Sequence, residues 1–159
     1  MTVSLVLYEA EFNELLSLCD RLNVDACARA VFLIEKDGQL IASAGDTSSF
    51  DSTSLASLTA GNMAATDGLA KVVGEREFGF QFHEGERDHI HISTVGERMI
   101  LVVIFDARSS LGLVRLRVKQ ATTQLVAVLQ RVSEKSEVQG DGLIGQITDA
   151  EIDRLLDGD

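Results

Sequence analysis

Seven consecutive apolar residues, Met99-Ile-Leu-Val-Val-Ile-Phe105, constrain this chain more than any other feature of its sequence. A transmembrane helix takes about 20 such residues, so the run is far too short to cross a bilayer and reads as a strand buried on both faces. Such a strand needs neighbours in a sheet and a cover over it.

The neighbours precede it. Phe78, Phe80 and Phe82 alternate with Gly79 and Gln81, while Ile90 and Ile92 alternate with His89, His91 and Ser93, which predicts two strands. Earlier still, Ala30 to Lys36 and Gln39 to Ala44 flank Asp37-Gly38, a dipeptide that tolerates positive φ, so this stretch predicts a hairpin with a tight turn. The cover is helical. Between Tyr8 and Val24, Phe12, Leu15, Leu16, Cys19 and Leu22 recur at helical spacing with charged residues between them. Asp51 to Val73 is rich in alanine and leucine, with Asp51 as the expected N-cap and Gly74 as the expected residue just past the end. Leu111, Val114, Val118, Ala121, Leu125, Val128 and Val132 give a third helix with an apolar seam. A heptad coiled coil fits the same seam, but the strands before it need covering. The chain has no proline, so glycine supplies the punctuation.

The order helix-strand-strand-helix-strand-strand-strand-helix predicts an α/β fold of the α+β sandwich type. Its five-stranded sheet is mostly antiparallel, with the first and third helices on one face. At 159 residues and 45% apolar content, one domain with a tail is expected. That domain spans 1–135. The polar, glycine-containing stretch from Ser136 to Gly145 reads as a flexible linker over 136–147. Beyond it, Thr148 and Glu151 have capping-box spacing and Ile147 and Ile152 the spacing of a hydrophobic staple, so 148–157 encodes a short amphipathic helix. At about ten residues it is shorter than an isolated helix needs to be, and Ile147, Ile152, Leu155 and Leu156 require a docking partner.

Charge and motifs narrow the function. A net charge of −11 repels phosphate backbones and anionic head groups, which argues against nucleic acid and membrane partners. Cys19 and Cys27 are too few for a disulfide framework or a four-ligand zinc site, and Met1-Thr-Val-Ser-Leu lacks a leader's basic and apolar regions, so a cytoplasmic protein with free thiols is expected. No phosphate-binding loop, dinucleotide fingerprint or nucleophile elbow occurs, so the chain is read as neither a GTPase nor another enzyme, with no cofactor. His83, His89 and His91 form the best metal-like group, but the two strand histidines are read as lying on the wetter face opposite Ile90 and Ile92, and no metal is assigned. Arg76, Arg87, Arg98 and Arg108 fall at loops or element ends, where an arginine finger would sit, and the sequence singles out none.

The second helix stands out instead. Ser57, Gly61 and Ala65 form one i, i+4, i+8 row of small residues, and Ala60, Ala64 and Gly68 form the adjacent row. Glycine inside a helix costs roughly 1 kcal/mol relative to alanine, which is unexpected unless another backbone approaches closely. Leu55, Leu58, Leu69 and Val72 are read as anchoring this helix to its own sheet, leaving the small rows for a second chain. Tight packing within the monomer is the competing explanation.

These same residues carry a family likeness. The run Asp51-Ser-Thr-Ser-Leu-Ala-Ser-Leu-Thr-Ala-Gly-Asn-Met-Ala-Ala, then Leu69-Ala-Lys, Gly74-Glu, Phe82-His-Glu-Gly and Leu101-Val-Val-Ile-Phe-Asp, resembles the MglB-like branch of the Roadblock family, over nearly the whole span from Val6 to Leu129. The resemblance implies a homodimer whose second helices lie together and whose sheets join at edge strands, with Ser57, Gly61, Ala65 and Phe80 at the dimer contact. It implies one partner, an MglA-like small Ras-like GTPase, touched by Ala60, Ala64 and Gly68, with Thr59, Asn62 and Lys71 nearby. It further implies stimulated GTP hydrolysis without an arginine finger, stimulated nucleotide exchange through the tail helix, and a role in cell polarity or motility with enrichment at a pole. A scaffold that binds a GTPase or polarity protein without altering hydrolysis is the alternative. One position departs from the family pattern: alanine is common in relatives where this chain has Gly68.

Overall fold

In the computed structural model, which describes residues 8–146, the Met99–Phe105 run is the middle strand of a five-stranded sheet and is buried along its whole length. The elements in chain order are α1 (Glu9–Asp25), β1 (Ala30–Glu35), β2 (Leu40–Gly45), a 3₁₀ turn (Thr47–Ser49), α2 (Ser52–Val72), β3 (Phe80–His83), β4 (His89–Val95), β5 (Met99–Phe105) and α3 (Leu111–Gln146). The strand order is β2-β1-β5-β4-β3, and every adjacent pair is antiparallel. Three of the four pairings join strands consecutive in sequence. The fourth, β1 with β5, sets Phe32 opposite Val102 and closes the two halves of the chain on each other. The α+β sandwich and its element order are as the periodicities predict.

Alternation along the central strands builds two separate cores. Val31, Leu33, Leu101, Val103 and Phe105 pack under α1 and α3 with Leu15, Leu22, Val114 and Leu125. Phe32, Ile34, Ile100, Val102 and Ile104 face the other way and meet Ala56 and Met63 of α2. The first and third helices therefore share a face, and among the described elements α2 alone covers the opposite one. Ion pairs of Glu11 with Lys135 and of Glu14 with Arg131 tie α1 to α3.

Both ends of α2 are sealed by the residues expected to seal them. The Asp51 carboxylate accepts from the Ser54 N–H at 3.2 Å and from the Ser54 hydroxyl at 2.7 Å, which holds its pKa below the usual carboxylate range. At the other end Gly74 takes φ +82°, its N–H reaches the Lys71 carbonyl, and the Glu75 N–H reaches the Ala70 carbonyl at 2.8 Å, the paired bonds of a Schellman ending.

Two expectations give way. Leu58, Leu69 and Val72 do not anchor α2; they are 74%, 61% and 83% exposed, and the side turned to the sheet is Ala56, Thr59, Met63 and Ala70, with Leu55 partly buried. Small residues win that side because they let the helix lie close to the strands. Residues 136–146 also differ from the linker reading, since α3 continues through them to Gln146. Polar composition does not prevent a helix, and with no proline nothing terminates it there. The expected tail helix at 148–157 lies outside the described residues.

Candidate protein-binding surface

A helix that turns alanine, threonine and methionine toward its sheet must turn its remaining apolar residues outward. On α2 the outward side carries Ser57, Gly61 and Ala65 beside Ala64 and Gly68, flanked by the exposed Leu58, Leu69 and Val72. The two small rows thus share one outward face. Among the described residues, a methyl group placed on Gly61 or Gly68 would meet nothing within 4 Å, so packing among them does not require glycine at either position. Packing among the described residues therefore does not explain these glycines.

The individual positions sort as follows. Ala64, Gly68 and Lys71 are exposed. Ala60 is half-buried; its methyl and the Ser57 backbone lie beside Gly38 of the β1–β2 turn, whose φ is +98°. Asn62 is half-buried and accepts from the Thr66 hydroxyl at 3.5 Å. Thr59 is a correction: it is 7% exposed and faces its own sheet, so a partner has no access to its side chain in this conformation. Ile147, Ile152, Leu155 and Leu156 lie outside the described residues. The sequence reading missed Leu58, Leu69 and Val72 as surface residues. Their spacing, on a side of the helix opposite Ala56, Met63 and Ala70, reveals two apolar sides but not which of them faces the sheet.

At one margin of the sheet, β3 presents a free edge. Phe80 on it is 37% exposed, its ring stacked on His91 with centroids 5.2 Å apart. Behind α2, Arg29 organises the approach to the helix. Its guanidinium donates to Asp88 at 2.8 Å and to Asp46 at 3.2 Å, and lies 5.0 Å from the Phe50 ring centroid, joining the β3–β4 loop to the segment that leads into α2. The Ser49 hydroxyl and Arg29 together hold the Asp46 pKa low.

Elsewhere among the described residues the titratable groups are dispersed. His91 is 2% exposed beneath α3, which corrects its assignment to a wet face; burial and the nearby Arg115 lower its pKa to about 4. His89 packs by Phe82 and Phe105. Among the described residues no three His, Cys, Asp or Glu side chains gather as metal ligands. Arg98 pairs with the buried Glu35 at 2.5 Å and Arg108 with Asp106 at 3.0 Å, so both are engaged by their own carboxylates. Arg76 and Arg87 are exposed. Cys19 is buried and its thiol is pushed up to about 12 by desolvation and by Asp20, whereas Cys27 is exposed. No described helix is long and apolar enough to cross a membrane.

Comparison with known proteins locates this architecture. The Roadblock/LC7 domain model matches residues 14–105, from α1 to the end of β5. Myxococcus xanthus MglB is 57% identical, with a TM-score of 0.76 over 80% of this chain and 96% of that one. The gliding protein MglB of Thermus thermophilus is 33% identical, with a TM-score of 0.76 over 82% and 99% of the two chains. An MglB with a tetrameric arrangement is 32% identical, with a TM-score of 0.77 over 83% and 99%. No curated protein sequence matches the chain.

Proposed function

Because the chain belongs to the Roadblock/LC7 domain family, we propose that it is a homodimeric, non-enzymatic regulator of motility that stimulates GTP hydrolysis by an MglA-like small GTPase. The observation that carries this reading is the outward face of α2. Two glycines that no packing among the described residues requires, Gly61 and Gly68, lie among exposed Leu58, Leu69 and Val72. Such a face favours close approach by other chains.

In this reading Ser57, Gly61 and Ala65, with Phe80 on the β3 edge, meet the second copy, and Ala60, Ala64 and Gly68 meet the GTPase with Asn62 and Lys71 at the margin. The description of one relative as tetrameric supports self-association, and that of another as a gliding protein supports a motility role, with polar enrichment as its cellular expression. Activation proceeds without an arginine finger: the dimer holds the GTPase's own groups in catalytic geometry, which is a positioning effect. The engagement of Arg98 and Arg108 by Glu35 and Asp106 is consistent with this. The segment 148–157 is proposed as a helix that, with Ile147 just before it, touches the GTPase through Ile147, Ile152, Leu155 and Leu156 and promotes exchange.

Single-turnover GTP hydrolysis by the MglA-like GTPase, with and without excess dimer, tests the proposal. Acceleration that disappears in Ala64→Arg, with dimerisation intact by sedimentation, is the expected result. GTP-dependent binding with unchanged hydrolysis would make the protein a scaffold instead, and binding that survives Ala64→Arg would remove α2 from the interface.

A further inference from the structure

Away from the α2 surface, a cavity of about 400 Å³ opens between the β3–β4 corner of the sheet and the first half of α3. Its floor is made by two side chains that α3 covers, His91 at 2% and Ser93 at 7% exposure. Both carry polar atoms that lack a hydrogen-bond partner, Nδ1 of His91 and Oγ of Ser93. Buried polar atoms without partners are rare because leaving them so costs stability.

The rim is cationic. Arg115 and Lys119 lie one helical turn apart on α3 and both line the cavity. Like charges at that spacing repel. Among the described residues neither enters an ion pair, and the Arg115 guanidinium lies 4.3 Å from the centroid of the Phe80 ring, an arrangement that leaves its edge N–H groups available. None of the lining residues is acidic, in a chain whose net charge is −11. Arg115 and Lys119 are exposed at the mouth of the cavity, where water hydrates them and leaves them free to meet an anion that enters.

We propose that this cavity is an oxyanion site that takes the phosphoryl group of a small molecule, held by Arg115 and Lys119 from the rim and by Ser93 and His91 from the floor. A tetrahedral dianion suits donors that converge from several directions, and charge-assisted bonds from Arg and Lys dominate its binding. Phe80, stacked on His91, forms an apolar wall for whatever bears the phosphate. The inference is independent of the GTPase reading, but it shares Phe80 with the proposed contact to the second copy, so it requires that contact to leave the cavity mouth open.

Titration of the native protein with inorganic phosphate at constant ionic strength, followed by the His91 ring and Ser93 amide resonances, tests it. Saturable shifts at both positions, with affinity at least tenfold weaker in an Arg115→Gln, Lys119→Gln double variant that retains native circular dichroism, are expected. Ser93→Ala gives a smaller loss and guards against a fold effect of the double variant. Linear, non-saturating shifts, or uptake equal in the double variant, overturn the site. Uptake that emerges only on dilution below the dimer's dissociation range also overturns it, because a carboxylate of a second copy then occupies the cavity.

Discussion

His91 shows how a single residue records its surroundings. Its neutral ring is buried beside Arg115, and its pKa falls from 6.5 to about 4. A histidine whose folded pKa is depressed contributes stability that is complete above the unfolded value and is lost as pH falls toward the folded one. Between pH 6.5 and 4 the wild type should therefore lose about 3 kcal/mol that His91→Phe retains, measured as a widening gap between their urea midpoints as pH is lowered. Gly45 is a second such residue: its φ is +85°, and a methyl group on it would sit 2.4 Å from the Arg29 carbonyl oxygen. Gly45→Ala should cost more than about 1 kcal/mol in urea unfolding. Neither position was open to the sequence reading. Alternation reveals that His89 and His91 share a side of a strand, but it does not say which side is wet, since that depends on where α3 lies. Thr59 was assigned to a partner for the same reason, its burial being set by the angle at which α2 meets the sheet.

At the scale of elements, the strands and helices were legible because each has a single dominant period, and the Met99–Phe105 run identified the sheet's centre before any pairing was known. The second helix was legible as a helix and illegible in orientation. It carries apolar residues on two sides, so periodicity alone cannot choose between Ala56, Met63 and Ala70 on one and Leu58, Leu69 and Val72 on the other. Close approach to the strands decides the matter in favour of the smaller set. Met63→Ala should thus destabilise the fold by about 2–5 kcal/mol, whereas Leu69→Ala should leave the monomer within about 0.5 kcal/mol while weakening self-association. Denaturation at fixed concentration together with sedimentation equilibrium separates the two effects. The α3 extension was missed through composition: polar residues and scattered glycines lower helix propensity without supplying a stop.

For the whole molecule, the sheet divides two cores of unequal depth. On one side α1 and α3 enclose Leu15, Cys19, Leu22, Val114, Leu125 and Val128 against the strands. On the other, α2 contributes only Ala56 and Met63 to the buried cluster, with Leu55 partly covered. Amide hydrogen exchange should follow that asymmetry, slowest in β1, β5, α1 and the first half of α3 and faster by an order of magnitude or more in α2, the difference being read directly from peptide-resolved deuterium uptake. Uniform protection across both layers would contradict it. The sequence conveyed that two layers exist, because the central strands are apolar on both sides, but not that one is thin, because thickness depends on which residues of α2 turn inward.

That thinness has a thermodynamic corollary. When a few small side chains hold a helix down, lifting it away from the strands exposes little oily surface, so brief excursions of α2 cost far less than melting the protein. The element whose outer side the proposed partners would meet is also the one most readily lost from the native ensemble, and anything that grips it from outside must lengthen its residence on the sheet. Engagement would then register as slowed exchange of the α2 amides well before it registers in the melting temperature of the deeper core.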